Sequence, residues 1–165
     1  TTVWLIGMRG VGKTTVGRLL ADRLTLRFID LDEEITQQTG RTPQQIFAAE
    51  GEPAFRAYEW EVLSRLNATR AVVATGGGLI EQPRAREWIF GQCVVWLTAT
   101  QDTLDARLAA DDQSARPPLP GSFADRLARR ERWYAAIASI IVSTDGLSPE
   151  TIAETIALRL MQPGS

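Results

Sequence analysis

Val3-Trp4-Leu5-Ile6 runs directly into Gly7-Met8-Arg9-Gly10-Val11-Gly12-Lys13-Thr14, and the architecture of the chain follows from this junction. The apolar run stops at a glycine. From Lys13 the apolar period becomes helical, with Val16, Leu19, Leu20 and Leu24 on one face. The turn between strand and helix fits glycine, four residues, glycine, lysine, then serine or threonine, the pattern of a phosphate-binding loop. Glycines let the backbone curl until several N–H groups converge on phosphate oxygens, and the helix that follows adds the positive end of its dipole. In this arrangement Lys13 reaches the β- and γ-phosphates, and the Thr14 hydroxyl is placed to ligate Mg²⁺. A chance glycine-rich turn would need neither the strand before it nor the helix after it. It would also not hold the only lysine in the chain. The ligand implied is a nucleoside triphosphate.

Outward from this turn, short apolar runs alternate with helical patterns. Strands are expected at Arg27–Asp30, Ala71–Ala74, Cys93–Leu97 and Ile140–Val142. Helices are expected over 33–39, from Pro43 to near Gly51, after Pro53, and over 83–90, 100–110, 123–138 and 149–161. Thr42, Pro43 and Gln45 form a helix start with a capping box, and Ser148-Pro149-Glu150 starts the last helix. Apolar runs without alternation suit strands covered on both faces, and strict strand–helix alternation implies a parallel sheet between helices. The 165 residues suffice for one domain and not for two. Between two helical patterns, Asp111 to Ser122 holds three prolines and no period.

Composition narrows the chemistry. There is no histidine, one cysteine (Cys93) and one lysine, against seventeen arginines. Without histidine, Ser-His-Asp and Cys-His nucleophile systems and imidazole-based zinc sites are excluded. One cysteine makes no internal disulfide, which suggests a reducing compartment, and Cys93 in its apolar strand reads as a small buried hydrophobe. The net charge of −2 argues against a broad nucleic-acid face. No apolar run approaches the ~20 residues of a membrane span, and no leader pattern is visible, so a cytoplasmic protein without a membrane partner is expected.

GTPase switches read guanine with Asn-Lys-x-Asp, which the single lysine cannot supply. Motor-type ATPases place an acidic residue at the end of an apolar strand, and neither Val72–Ala74 nor Val94–Leu97 ends in one. The remaining acidic pair is Asp30 and Asp32, after the second strand. An extended chain would set both on one side, one toward the Mg²⁺ hydration shell and one toward an acceptor hydroxyl. Helix capping by Asp30, with Glu33, accounts for the same residues. Arg56 has Glu59 one turn on, able to fix its guanidinium, and Arg130 lies among Arg126, Arg129 and Arg132; a solvated helix face explains each at least as well. Arg116, in the proline-stiffened stretch Ala115–Gly121, is either a surface residue or one that closes over transferring phosphate. Gly76-Gly77-Gly78 is either a flexible turn or a backbone that approaches a small ligand at the carboxyl edge of the sheet. Together these residues point to phosphoryl transfer from ATP to a small anionic acceptor. AMP, gluconate or a cyclic hydroxy acid would each satisfy them, and an ATP-binding module without transfer stays open.

The ordered set Gly7–Thr14, Phe28-Ile29-Asp30-Leu31-Asp32, Ile46-Phe47, Gly51-Glu52 with Phe55-Arg56, Ala74–Gly78, Arg116-Pro117 and Arg130 to Tyr134 resembles the shikimate kinase family over essentially the whole chain. The resemblance implies a three-layer α/β phosphate-loop kinase fold of the nucleoside-monophosphate-kinase type, with a five-stranded parallel sheet in the order 2-3-1-4-5. It implies a single domain over 1–165, with a substrate-binding segment at about 31–61 and a lid at about 111–123. ATP would phosphorylate the 3-hydroxyl of shikimate, on the aromatic amino acid pathway, in a monomeric cytoplasmic enzyme whose only partners are small molecules. Lys13, Asp32 and Arg116 would be catalytic. Gly10, Val11, Gly12, Lys13, Thr14, Thr15, Arg107, Arg116 and Pro149 would bind ATP. Asp32, Phe47, Phe55, Arg56, Gly76, Gly77, Gly78 and Arg130 would bind shikimate. Thr14 directly and Asp30 through water would hold Mg²⁺. One departure stands out: the family pattern Arg-x-Pro-Leu-Tyr is here Arg130-Glu131-Arg132-Trp133-Tyr134, without the proline.

Overall fold

The computed structural model describes residues 2–66, 70–110 and 122–162. The runs that lack alternation occupy the middle of the sheet: β1 (Val3–Ile6), β3 (Ala71–Ala74) and β4 (Cys93–Thr98). Every residue of β1 and β3 is buried, because helices cover both faces. β2 (Arg27–Asp30) and β5 (Ile140–Ser143) form the edges, and β5 alternates buried Ile140 and Val142 with exposed Ile141 and Ser143. The order is β2-β3-β1-β4-β5 with every neighbouring pair parallel, the expected arrangement. Register then sets the geometry of the functional edge. Asp30 pairs with Ala74, and Ala74 with Leu5, so the carboxyl ends of three strands finish level.

Eight helices with described positions flank the sheet: α1 (Lys13–Leu24), α2 (Leu31–Thr39), α3 (Pro43–Glu50), α4 (Glu52–Ser64), α5 (Pro83–Ile89), α6 (Gln101–Ala110), α7 (Phe123–Ile137) and α8 (Pro149–Leu160). A short 3-10 turn, Leu79–Glu81, follows the three glycines. α1 packs on α8 and lies against β2 and β3, where a Cβ on Gly17 would come within 2.5 Å of the Phe28 ring. α7 packs on β4, and α4 joins α2, α3 and α5. Trp4 is fully buried in the sheet and donates its indole N–H to Gln92 at 2.8 Å, which satisfies the one polar atom it carries inward.

Two local expectations change. α2 begins at Leu31 rather than Glu33, so the chain is not extended through Asp32. The cause is Asp30, whose Oδ1 accepts from the backbone N–H of Asp32 at 2.9 Å and of Glu33 at 3.3 Å and starts the helix two residues early. Glu33 does not close the box. Its carboxylate pairs with Arg18 at 3.2 Å. The box expected at α3 is present in full, with Gln45 N–H on Thr42 Oγ1 and Thr42 N–H on Gln45 Oε1. The expected lid falls, apart from Ser122 and Phe123, outside the described residues.

Candidate active site

The phosphate loop is shaped by glycine where the backbone turns left-handed: φ is 90° at Gly10 and 98° at Gly12. Gly12 is the N-cap of α1 and contributes no side-chain cap, and the first turn of α1 holds no acidic residue. By contrast α2, α3, α7 and α8 are capped by Asp30, Thr42, Ser122 and Ser148. The N-terminus of α1 is therefore left for an external anion. Lys13 is buried and donates from Nζ to the carbonyls of Gly7 at 2.6 Å and Met8 at 3.1 Å, which anchors its ammonium within the loop. Arg107 on α6 reaches the loop from the side, donating to Val11 O at 3.1 Å and to Thr144 Oγ1 at 3.3 Å.

A cleft of about 330 Å³ gathers Gly10, Gly12, Lys13, Thr14, Thr15 and Arg107 with Asp30, Asp32, Gly76 and Gly77. Thr14 Oγ1 donates to Asp30 Oδ2 at 2.9 Å, so the two residues expected to hold Mg²⁺ are in contact. Their hard oxygen donors suit that ion, which takes few protein ligands and keeps water and phosphate oxygens. Val11 is buried behind the loop, and Pro149 is the first residue of α8; neither lines this cleft. Arg9 and Thr75 line it as well, with no local signal in the sequence that marks them individually. Arg116 lies outside the described residues.

Beyond the cleft stand the residues expected for the acceptor. Arg56 on α4 is gripped by two carboxylates, donating from Nη1 to Glu59 at 2.7 Å and from Nη2 to Glu52 at 3.3 Å. Glu59 has no exposed surface. Burial works against the charge on Arg56, but Glu59 and then Glu52 outweigh it and hold the guanidinium above its ordinary pKa. The rings of Phe47 and Phe55 lie 4.6 Å apart, and the Arg56 guanidinium sits 5.4 Å from the Phe55 centroid. Phe55 has no exposed surface, so it supports Arg56 from the core.

The three glycines are explained by what crowds them, not by φ. A Cβ on Gly77 would lie 3.0 Å from the backbone nitrogen of Arg9 in the phosphate loop. On Gly76 it would lie 2.9 Å from Glu59 Oε2 and 3.5 Å from Asp32 Oδ1. On Gly78 it would lie 2.6 Å from Arg56 Cζ and closer still to Nη2. One turn thus touches the phosphate loop, the candidate base and the candidate acceptor arginine.

Arg130 is not on a solvated face. It is 4% exposed, on the same stripe of α7 as Tyr134 and Ile137. Its Nε donates to Glu81 Oε1 at 3.0 Å, and Arg129 Nη2 donates to the same oxygen at 2.7 Å. Burial alone would raise the pKa of Glu81, but the hydrogen bonds from Arg129 and Arg130 outweigh it and hold it below the ordinary value. Tyr134, fully buried, donates to Gly77 O at 2.6 Å; burial raises its pKa, so the phenol stays a donor. Glu81 and Tyr134 were missed as site residues. The 130/134/137 spacing was a readable signal for Tyr134 and Arg130, whereas nothing local links Glu81 to arginines 48 and 49 residues away.

A family model described as shikimate kinase matches residues 9–161. The chain belongs to the shikimate kinase family. It is 42% identical over 161 residues to the shikimate kinase of Gloeobacter violaceus, covering 94% of this chain and 90% of that one. It is 42% identical over 165 residues to that of Thermobifida fusca, covering 97% and 95%. Among solved structures, the shikimate kinase from Acinetobacter baumannii in complex with shikimate superposes with a TM-score of 0.88 at 35% identity, covering 96% of this chain and 92% of that one.

Proposed function

We propose that this protein transfers the γ-phosphate of ATP to the 3-hydroxyl of shikimate, giving ADP and shikimate 3-phosphate. One observation carries the proposal beyond family membership: the Gly76–Gly78 turn abuts the phosphate loop at Arg9, Asp32 at Gly76 and Arg56 at Gly78. An acceptor lying on this turn has its carboxylate within reach of an arginine and its hydroxyls beside Asp32, next to the transferring phosphate.

In this mechanism Asp32 accepts the hydrogen bond of the acceptor hydroxyl and takes its proton as the new O–P bond forms and the bond to the β-phosphate oxygen breaks. Lys13 and the first-turn N–H groups of α1 balance charge on the phosphates. Thr14 and Asp30 are the residues that would hold Mg²⁺, which would supply neutralisation of the triphosphate charge. Thr14 would ligate it, and Asp30, by accepting the Thr14 hydroxyl proton, leaves the oxygen lone pairs of Thr14 for the ion. Arg56 and Arg130 bind the carboxylate, Phe47 and Phe55 back that pocket, and the segment of about 31–61 forms the substrate-binding part. Arg116 closes over the transferring phosphate from the lid of about 111–123, while Arg107 and the Ser148-Pro149 turn flank adenine. As part of the same proposal, the enzyme works as a cytoplasmic monomer; sedimentation at working concentration tests the monomer.

The direct test is coupled ADP release with shikimate, quinate, gluconate, AMP and no acceptor. Stimulation by shikimate well above the others is expected. Equal rates with and without shikimate would refute the proposal.

A further inference from the structure

Arg130 carries an anion-binding role only if its guanidinium is held still. Among the described residues it has a single hydrogen-bond partner: Nε donates to Glu81 Oε1 at 3.0 Å, and its two terminal nitrogens make no hydrogen bond there. The side chain is 5% exposed, so its edge is sheltered, and its remaining donors are available to a ligand. Glu81 is itself fixed. It ends the 3-10 turn that starts after Gly78, with its N–H on Gly78 O at 3.0 Å, and its carboxylate takes a second bond from Arg129. Its neighbour Gln82 donates from Nε2 to Glu59 Oε1 at 3.2 Å, the same oxygen that holds Arg56. The two acceptor arginines, on α4 and α7, are therefore tied to adjacent residues of one short turn.

We propose that Glu81 is a positioning residue for recognition of the acceptor carboxylate, orienting Arg130 through Nε so that the terminal nitrogens meet the carboxylate at a fixed distance from Arg56. This rests on the shikimate kinase activity proposed above. Both arginines bond the same carboxylate oxygen, Oε1, with their shortest contacts, so an amide oxygen in its place retains the arrangement. Position, rather than the charge of Glu81, is what Arg130 needs from it.

The test is steady-state kinetics of Glu81→Ala and Glu81→Gln, with shikimate and with the analogue whose carboxylate is replaced by hydroxymethyl. Losing one charge-assisted hydrogen bond that fixes a donor predicts a rise of about tenfold in KM for shikimate in Glu81→Ala, with kcat and KM for ATP within about twofold. The neutral analogue, which has no carboxylate to place, keeps its kcat/KM in this variant. Glu81→Gln stays within about threefold of the wild type for shikimate. An unchanged KM in Glu81→Ala, an equal loss with the neutral analogue, or a loss in Glu81→Gln as large as in Glu81→Ala would each overturn the proposal. Should Glu81→Ala fail to fold, Glu81→Asp carries the same test, with a rise of about threefold confined to shikimate expected and an equal loss on both acceptors refuting it. Wild-type protein that ignores shikimate would refute the activity itself, a separate result.

Discussion

Gly78→Ala isolates the contact between the glycine turn and the acceptor arginine. The backbone at Gly78 has φ −95°, which alanine adopts freely, so the effect is steric. The new Cβ would stand 2.6 Å from Arg56 Cζ and 2.8 Å from Nη1, against an ordinary contact of about 3.5 Å. The guanidinium must retreat by about 1 Å, which breaks its 2.7 Å bond to Glu59. Removing one partner of a buried pair costs about 3–5 kcal/mol at the limit. Here Arg56 is displaced rather than deleted, and Gln82 still donates to Glu59, so about 2 kcal/mol is expected, or about 4–8 °C in Tm. Misplacing a charged donor of about 1.5–3 kcal/mol raises KM for shikimate about 10- to 100-fold. KM for ATP stays near wild type, since the crowded group is on the acceptor side. Coupled ADP release and thermal unfolding read these quantities. Because Gly78→Ala and Arg56→Ala disable the same guanidinium, the double variant should be little worse than Arg56→Ala alone. A KM for shikimate within about threefold of wild type, or full additivity of the pair, would refute the reasoning.

Asp30→Asn separates capping from metal support: asparagine caps as well as aspartate, so Tm holds, while the Mg²⁺ concentration for half-maximal rate rises about tenfold. A fall in Tm with unchanged Mg²⁺ dependence would leave Asp30 a cap only. Arg116→Ala should lower kcat by ~10²-fold or more with a smaller effect on KM for shikimate, because its contact is with developing charge; stopped kinetics of both parameters check it. Glu81, whose folded pKa lies below its ordinary value of 4.5, contributes stability that is present above that value and lost as pH falls through the lowered one. The urea midpoint of wild type should therefore exceed that of Glu81→Gln at neutral pH and converge on it in acid; a gap that persists in acid would show that ionisation of Glu81 is not its source. Tyr134→Phe should cost about 1–3 kcal/mol in urea unfolding, since Gly77 O loses its buried donor; an unchanged midpoint would count against that bond.

What could be read from the residues alone depended on the range of the interaction. The phosphate loop, the Thr42 box and the central strands declare themselves locally, through a motif, a cap or an unbroken apolar run. Capping by Asp30 is legible and sets the start of α2 at Leu31, whereas the helical pattern alone puts it at Glu33, because the cap competes with the strand at a single residue. The glycine triplet invited an argument from flexibility. Its real reason is crowding by Arg9, Glu59 and Arg56, which arrive from distant segments. Arg130 looked like one more surface arginine among four, and only its helical phase with Tyr134 marks it as buried. Glu81 had no local signature, since its partners come from α7.

The proposed function stands on delivery of the terminal phosphate of ATP to one hydroxyl of shikimate. Phosphorus–proton correlation NMR on the product of shikimate, Mg-ATP and the enzyme tests it most directly. The expected product is one phosphate ester whose phosphorus couples to the proton at carbon 3, formed in step with ADP. Free phosphate released with ADP, or phosphorus coupled to a different ring proton, would contradict it.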